Sequence, residues 1–319
     1  MNIAIYSRPR SLNMVGKALM RAFKRGLHKH DVKFTDIHVI RPKSGYDFAV
    51  SMSGKNSEKL YDVQRSIGRP FMTVKLGMFS KAQGLVDYHQ REAASWNNIN
   101  SLYAHCDLLD STFQQAAYIR GQDNTRLRQC PGLNRIKLTP WKTSEKGYVL
   151  LIEQVIPRGY GHDIEPNPLA WQAWAQRQVL KIKDRMQRDG LEVPVKIRLH
   201  PRRTLDRMWK PKVPFLPNVG RLSPWSSLEE CLDGAVKVVT LSSQSAIDAV
   251  IHGVPIYVAD KSSLAKQVSE PHYSLQPLTR PDRQQWLRDI AYVYWSLNEL
   301  RTGKYWDYVK QVILPSWEI

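Results

Sequence analysis

AVKVVTLSSQSAIDAVIHGVPIYVAD, residues 235–260, decides the fold class. AVKVVTLS reads as a buried strand, SSQSAIDAVIHG changes to helical spacing and closes on Gly253, and PIYVAD returns to strand character. Strand, helix and strand in such quick succession form a βαβ unit, whose strands lie parallel. The alternation extends upstream, with strands expected at residues 148–155 and 195–199 and helices at 169–188 and 226–233. The beginning of the chain repeats it. Strands are expected at 2–7, 32–40, 47–53 and 70–76, with helices at 12–29 and 57–68, the latter ended by Gly68. Residues 77–106 are polar and less regular, and 107–140 carry no clear element. Residues 281–313 read as two helices broken near Gly303. TPWKTSEKG, residues 139–147, has the turn-forming, charged composition of a linker. The expected architecture is α/β, with two Rossmann-like domains, 1–145 and 146–319. Their parallel sheets are expected to face a central cleft, with the C-terminal helices packing across the domains.

Composition narrows the function. The 319 residues hold 47 Lys and Arg against 29 Asp and Glu, a formal net charge of +18. A field of that sign favours polyanions and makes their binding salt-dependent. No run of apolar residues is long enough for a membrane span, and MNIAIYSRPR lacks the layout of a signal peptide. Three cysteines without CxxC spacing argue against a disulfide framework or a zinc site and fit a cytoplasmic location.

Three segments of the second half carry candidate chemistry. In TLSSQSAIDAVIHGVP, Ser242, Ser243, Gln244 and Ser245 open a helix directly after a strand, where backbone N–H groups and hydroxyls can hold a phosphate. In KIRLHPRR, Arg198, His200 and Arg202 gather at a strand end, and guanidinium forks match phosphate oxygens. In EQVIPRGYGHDI, Gln154, Arg158 and Asp163 flank glycines, Gly161 among them, that allow close backbone approach. No Walker sequence is present, which excludes a P-loop NTPase.

Taken together, EQVIPRGYGHD, RLHPR and LSSQSAIDAVIHGVP resemble the donor-side domain of capsular Kdo transferases and bacterial sialyltransferases. Over most of its length the chain also resembles glycosyltransferase-like proteins of tailed bacteriophages, through KLGMF, YHQREAASWNNIN and IAYVYWSLNELRTGKYW. The resemblance implies a GT-B-like fold, with residues 1–145 on the acceptor side and 146–319 on the nucleotide-sugar side. It implies a sugar, pentose or hexose such as arabinose or glucose, moved to a hydroxylated or hydroxymethylated pyrimidine of double-stranded phage DNA in the host cytoplasm. Carried over by position, Gln154, His200, Ser242 and Ser243 bind the donor, expected to be a UDP-sugar.

Asp87, Asp163 and His89 are the candidate bases for the acceptor proton. No metal requirement and no tightly bound cofactor are expected, since no DxD-type motif stands out and basic groups surround the leaving group. Lys17, Arg21, Lys24 and Arg25 on the first helix, with Trp96, are candidates for nucleic-acid contact. A monomer is expected. Two other readings use the same features: a transferase of surface polysaccharide or lipopolysaccharide, and a non-enzymatic DNA-binding protein on a GT-B scaffold.

Overall fold

A computed structural model describes residues 1–7, 14–38, 45–52, 57–76, 103–108, 125–143, 146–154, 168–200, 219–223, 226–260, 263–270 and 279–317. In chain order its strands are β1 (Ile3–Tyr6), β2 (Phe34–Ile37), β3 (Phe48–Met52), β4 (Phe71–Leu76), β5 (Tyr103–Leu108) and β6 (Tyr148–Ile152). There follow β7 (Val195–Arg198), β8 (Gly220–Arg221), β9 (Ala235–Thr240), β10 (Ile256–Val258) and β11 (Tyr294–Ser296). The helices are α1 (Met14–Lys29), α2 (Ser57–Ser66), α3 (Pro131–Asn134), α4 (Pro168–Arg188) and α5 (Leu228–Asp233). The last four are α6 (Ser245–Ile251), α7 (Arg283–Ala291), α8 (Leu297–Thr302) and α9 (Lys304–Tyr308). The chain packs into two compact units, Met1–Ile136 with Leu287–Ile319, and Lys137–Trp286.

In the first unit the sheet order is β11-β5-β4-β3-β1-β2. β1 lies parallel to β2 and β3, and β3 to β4, as the alternation of strands and helices requires. The other edge departs from that pattern: β5 runs antiparallel to β4, and β11 antiparallel to β5. The core joins Ile3, Ile5, Phe48 and Val50 of the strands to Leu19, Phe23 and Leu27 of α1. Trp295, Leu300 and Trp306 from the far end of the chain complete it. Leu287–Ile319, which the sequence reading placed with the second half, thus supplies a strand and helices to the first unit. A Cβ on Gly26 would stand 2.1 Å from the Leu300 carbonyl oxygen, so α1 and α8 meet backbone to backbone.

Arg126 fastens this return. Its Nε donates to the Ala291 carbonyl at 3.1 Å, Nη2 to the Tyr294 carbonyl at 2.8 Å, and Nη1 to Glu299 Oε1 at 2.5 Å. The guanidinium also lies over the Trp295 ring, 3.8 Å from its centre. Glu299 closes a capping box with Ser296 at the start of α8. Burial raises the Glu299 carboxyl pKa, but the bonds and charge of Arg126, helped by Ser296, bring it below its ordinary value.

The second unit has a wholly parallel sheet of order β10-β9-β6-β7-β8. Val149, Leu151, Ile197 and Val239 pack on Trp171, Trp174 and Ile182 of α4. The segment read as a linker is pinned to this unit. Thr139 N donates to the Ile251 carbonyl at 3.0 Å, and Lys142 Nζ reaches the Leu232 and Asp233 carbonyls at 2.7 Å. Gly253, at φ +78°, leaves room for this contact, because a Cβ there would meet the Pro140 carbonyl oxygen at 2.1 Å. Lys237 of β9 is buried; desolvation lowers its pKa to about 8, with the charge of Glu270 pulling it back up. Glu270 is separately held by Thr279 N and Thr279 Oγ1, both at 3.0 Å.

Arg126→Met leaves the half-buried Glu299 with only the exposed Lys304, 3.8 Å away, as a cation, and is expected to cost about 3 kcal/mol, read as a lower urea midpoint. The folded chain holds the Glu299 carboxylate more firmly than the unfolded one. Its contribution is therefore full above pH ~4.5 and fades as pH falls through the lower folded value, so Glu299→Gln should flatten that acid limb. Lys237 works in the opposite sense. The unfolded chain keeps its proton to pH ~10.4 while the folded chain releases it at about 8, so stability should climb over that interval. Lys237→Met should remove the climb and equal or exceed the wild type at neutral pH, as melting across a pH series would record.

Candidate functional site

In the second sheet the chain runs from β6 to β7 and β8 on one side, then returns to β9 on the other side of β6. The strand order reverses between β6 and β9, and open α/β sheets bind ligands outside the carboxyl ends of strands at such a point. Gln154 lies there, two residues past β6 and buried. Its Oε1 accepts the Ser242 N–H at 2.8 Å and its Nε2 donates to Ser242 Oγ at 2.9 Å. Thr240 Oγ1, at the end of β9, donates to the same Oε1 at 3.4 Å. One amide side chain thereby bridges the reversal and fixes the turn that follows β9.

The neighbouring strand end is tied in the same manner. Glu153 is buried, and its Oε2 accepts the His200 N–H at 2.8 Å, holding the turn after β7. Arg198, at the end of β7, is only 7% exposed. Its Nη2 donates to the Ser226 carbonyl at 3.3 Å, while its Nε has no hydrogen-bond partner. No carboxylate pairs with it among the described residues. Burial raises the pKa of the adjacent Cys231 thiol, the Arg198 charge pulling the other way, so the thiol stays neutral beside the guanidinium. A buried cation without a counter-charge is costly, and an anion at this edge would offset that cost.

The serine turn differs from its sequence reading. Ser243 N donates to Thr240 Oγ1 at 3.4 Å, Ser245 N to Ser243 Oγ at 3.2 Å, and Ala246 N to the Ser243 carbonyl at 3.0 Å. Ile247 N donates to the Gln244 carbonyl at 2.9 Å. These amides are consumed by the turn itself rather than left open for an anion. The side chains remain: Ser242 Oγ and Ser243 Oγ each accept a bond and keep a hydroxyl proton to donate.

Gln154, Arg198, His200, Ser242, Ser243, Gln244 and Ser245 thus share the carboxyl edge of one parallel sheet. Arg158, Gly161, Asp163 and Arg202 lie outside the described residues, as do Asp87, His89 and Trp96. On α1, Lys17, Arg21 and Arg25 are exposed. Lys24 is not a free cation: it forms an ion pair with Asp36 and donates to Ser7 Oγ at 2.9 Å. Glu153 and Thr240 were overlooked in the sequence, although a carboxylate next to Gln154 at the end of an apolar run was the signal for the first. Among the described residues no three His, Cys, Asp or Glu side chains stand together as metal ligands, and no helix is long and apolar enough to cross a membrane.

The two α/β units and this site define a GT-B-like fold of two Rossmann-type sheets. Among solved structures, the β-Kdo 2,7 transferase KpsC of Thermosulfurimonas dismutans matches with a TM-score of 0.51 at 13% identity, over 96% of this chain and 99% of that one. The β-Kdo 2,4 transferase KpsC of the same organism matches with a TM-score of 0.42 at 14% identity, over 92% and 91%. The UDP-GlcNAc 2-epimerase of Methanocaldococcus jannaschii gives a TM-score of 0.27 at 12% identity, over 98% and 99%. No protein-family model and no curated protein sequence matches the chain.

Gln154→Leu keeps the volume but strands the Ser242 N–H. It is expected to destabilise the second unit by about 1–3 kcal/mol, with faster amide hydrogen exchange concentrated over residues 242–247.

Proposed function

We propose that the chain is a glycosyltransferase whose nucleotide-sugar donor binds at the carboxyl edge of the second sheet. The observation that carries this reading is the Gln154–Ser242 bridge across the strand-order reversal, with Arg198 at the next strand end lacking a carboxylate partner among the described residues. In the proposed reaction the C1–O bond to the nucleotide phosphate breaks and its electron pair leaves on that phosphate. Arg198, His200 and the Ser242 and Ser243 hydroxyls stabilise the departing charge. A C1–O bond to the acceptor hydroxyl forms, and the acceptor proton passes to a base, for which Asp87, His89 and Asp163 are the candidates. The donor-binding set is completed by Arg158, Gly161, Arg202, Gln244 and Ser245, and the donor is read as a UDP-sugar.

The acceptor in this proposal is a hydroxylated or hydroxymethylated pyrimidine in double-stranded DNA, and the sugar a pentose or hexose. The support is the net charge of +18, which suits a polyanion. A base inside a duplex must leave the stack to react. A surface-polysaccharide acceptor is the second reading, favoured by the fold shared with the Kdo 2,7 transferase.

The test incubates the protein with hydroxymethylpyrimidine DNA, ordinary DNA and a panel of UDP-, CMP- and GDP-sugars, followed by mass spectrometry of the nucleosides. A sugar-sized gain confined to the modified base is expected, unchanged by chelation and reduced at least tenfold in Ser242→Ala. Transfer to a polysaccharide acceptor with none to DNA would establish the second reading. Failure to bind any nucleotide-sugar would sink both.

A further inference from the structure

Every exposed side chain described on α1 is basic: Lys17, Arg21, Arg25, His28 and Lys29. Leu19, Met20, Ala22, Phe23 and Leu27 occupy the opposite, buried face. Lys17, Arg21, Arg25 and Lys29 follow one another at i, i+4 spacing, which sets them side by side in a row, and like charges so placed disfavour the helix. None of the four has an ion-pair or hydrogen-bond partner among the described residues. Several helical cations elsewhere are compensated by an acid three or four residues away. Arg185 pairs with Asp189 at 3.0 Å and Arg188 with Asp184, while Lys310 pairs with Asp307 at 3.2 Å. Beside the row itself, Lys24 is neutralised by Asp36. The row has no such partner among the described residues, and α1 itself carries no acid.

We propose that Lys17, Arg21, Arg25 and Lys29 form the docking surface for the sugar–phosphate backbone of duplex DNA, a proposal that rests on the DNA acceptor put forward above. Twelve residues of helix separate the ends of the row, about 18 Å at 1.5 Å per residue. At one phosphate per ~3.4 Å along each strand, that length spans about five successive phosphates. A helix lying on lipid needs exposed apolar or aromatic side chains, and none of the described side chains exposed on α1 is apolar. Contacts of this kind position a duplex without reading its sequence, so the row orients the substrate and leaves base choice to the reacting site.

The experiment measures binding of the full-length protein to an unmodified 24-base-pair duplex by fluorescence anisotropy across a salt series. Four phosphate contacts give a slope of about −3.6 in log K against log salt, so affinity should fall roughly a hundredfold from 50 to 200 mM salt. Lys17→Gln with Arg21→Gln should weaken binding about tenfold and lower the slope by about two units. The control pair Arg177→Gln with Lys183→Gln, on α4, should change neither. These α1 positions are exposed, and circular dichroism with an unchanged or raised melting temperature checks that the variant folds. The proposal is overturned by no duplex binding at 50 mM salt, by equal loss in both pairs, or by an unchanged slope in the α1 pair. It is also overturned if phosphatidylserine vesicles, and not DNA, are bound through the row. Nucleotide-sugar titration of the same variants keeps the two readings apart. Loss of donor binding in the wild type ends the transferase reading alone, and row-dependent DNA binding would stand without it.

Discussion

Arg126 donates from every nitrogen of its guanidinium to acceptors 165 to 173 residues further along the chain, at Ala291, Tyr294 and Glu299. The first unit depends on this. Its sheet is finished by β11 and its core by Trp295, Leu300 and Trp306, all from the far end of the sequence. Closing a loop that long costs little more than closing a short one, because the entropy grows only with the logarithm of its length. Specificity of docking is the harder problem. Apolar burial alone would accept a shifted register of α8 on α1, whereas a planar donor with three directed bonds accepts one. The capping box at Ser296 then propagates that choice into the helix. The Gly26 contact limits it further, since no side chain fits between the two backbones.

The second unit solves a comparable problem without net charge. The Gln154 amide oxygen and NH2 both bond Ser242, and the oxygen also accepts from Thr240 Oγ1. A neutral amide can be buried at modest cost when its bonds are made, and it leaves the local potential to other groups. Those groups are unevenly matched. Glu153 accepts the His200 N–H, while Arg198 has no carboxylate partner among the described residues. The edge of the sheet is therefore rigid in its neutral parts and electropositive in its charged one, a combination suited to an anion that must be held in a single orientation.

Much of this was legible in the sequence because the parallel strands are continuous apolar runs. IAIY, YVLLI and AVKVVT are buried on both faces, and such runs need no partner to be recognised. The strands that escaped notice are of another kind. β5, YAHCDL, carries His105 and Asp107, and β11 is three residues inside an aromatic segment that scans equally well as helix. Both pair antiparallel, and one is recruited from a distant part of the chain, which no local pattern encodes; β8, also unforeseen, is parallel but only two residues long. Thr139–Lys142 failed for a related reason: its anchors are backbone carbonyls of Leu232 and Asp233, and a carbonyl has no signature in a sequence. The candidate site fared better. Its bridging residues follow strands directly, so topology alone brings Gln154, His200 and Ser242 together. The serine turn was misjudged in one respect, since only geometry tells whether an N–H is open or already used by Thr240 or Ser243.

The same distinction separates the two kinds of cation in this chain. Counting charges over 12–29 gave Lys24 the same weight as Arg21, yet Asp36 of β2 removes Lys24 from the surface field. What remains on α1 is fewer charges in a stricter arrangement. Four unpaired cations in one row cost the helix about 0.2–0.5 kcal/mol for each neighbouring pair, and no acid in α1 offsets that cost. A solvated basic face need not be arranged this way, because one acidic residue at any i+4 position would relieve it, as Asp189 does for Arg185. The row and Arg198 are thus two instances of one constraint: in each unit, among the described residues, a positive potential stands without a carboxylate partner. The potential over α1 is spread along a line and open to solvent, suiting a screened, extended polyanion. That at Arg198 is buried and local, suiting a single phosphate.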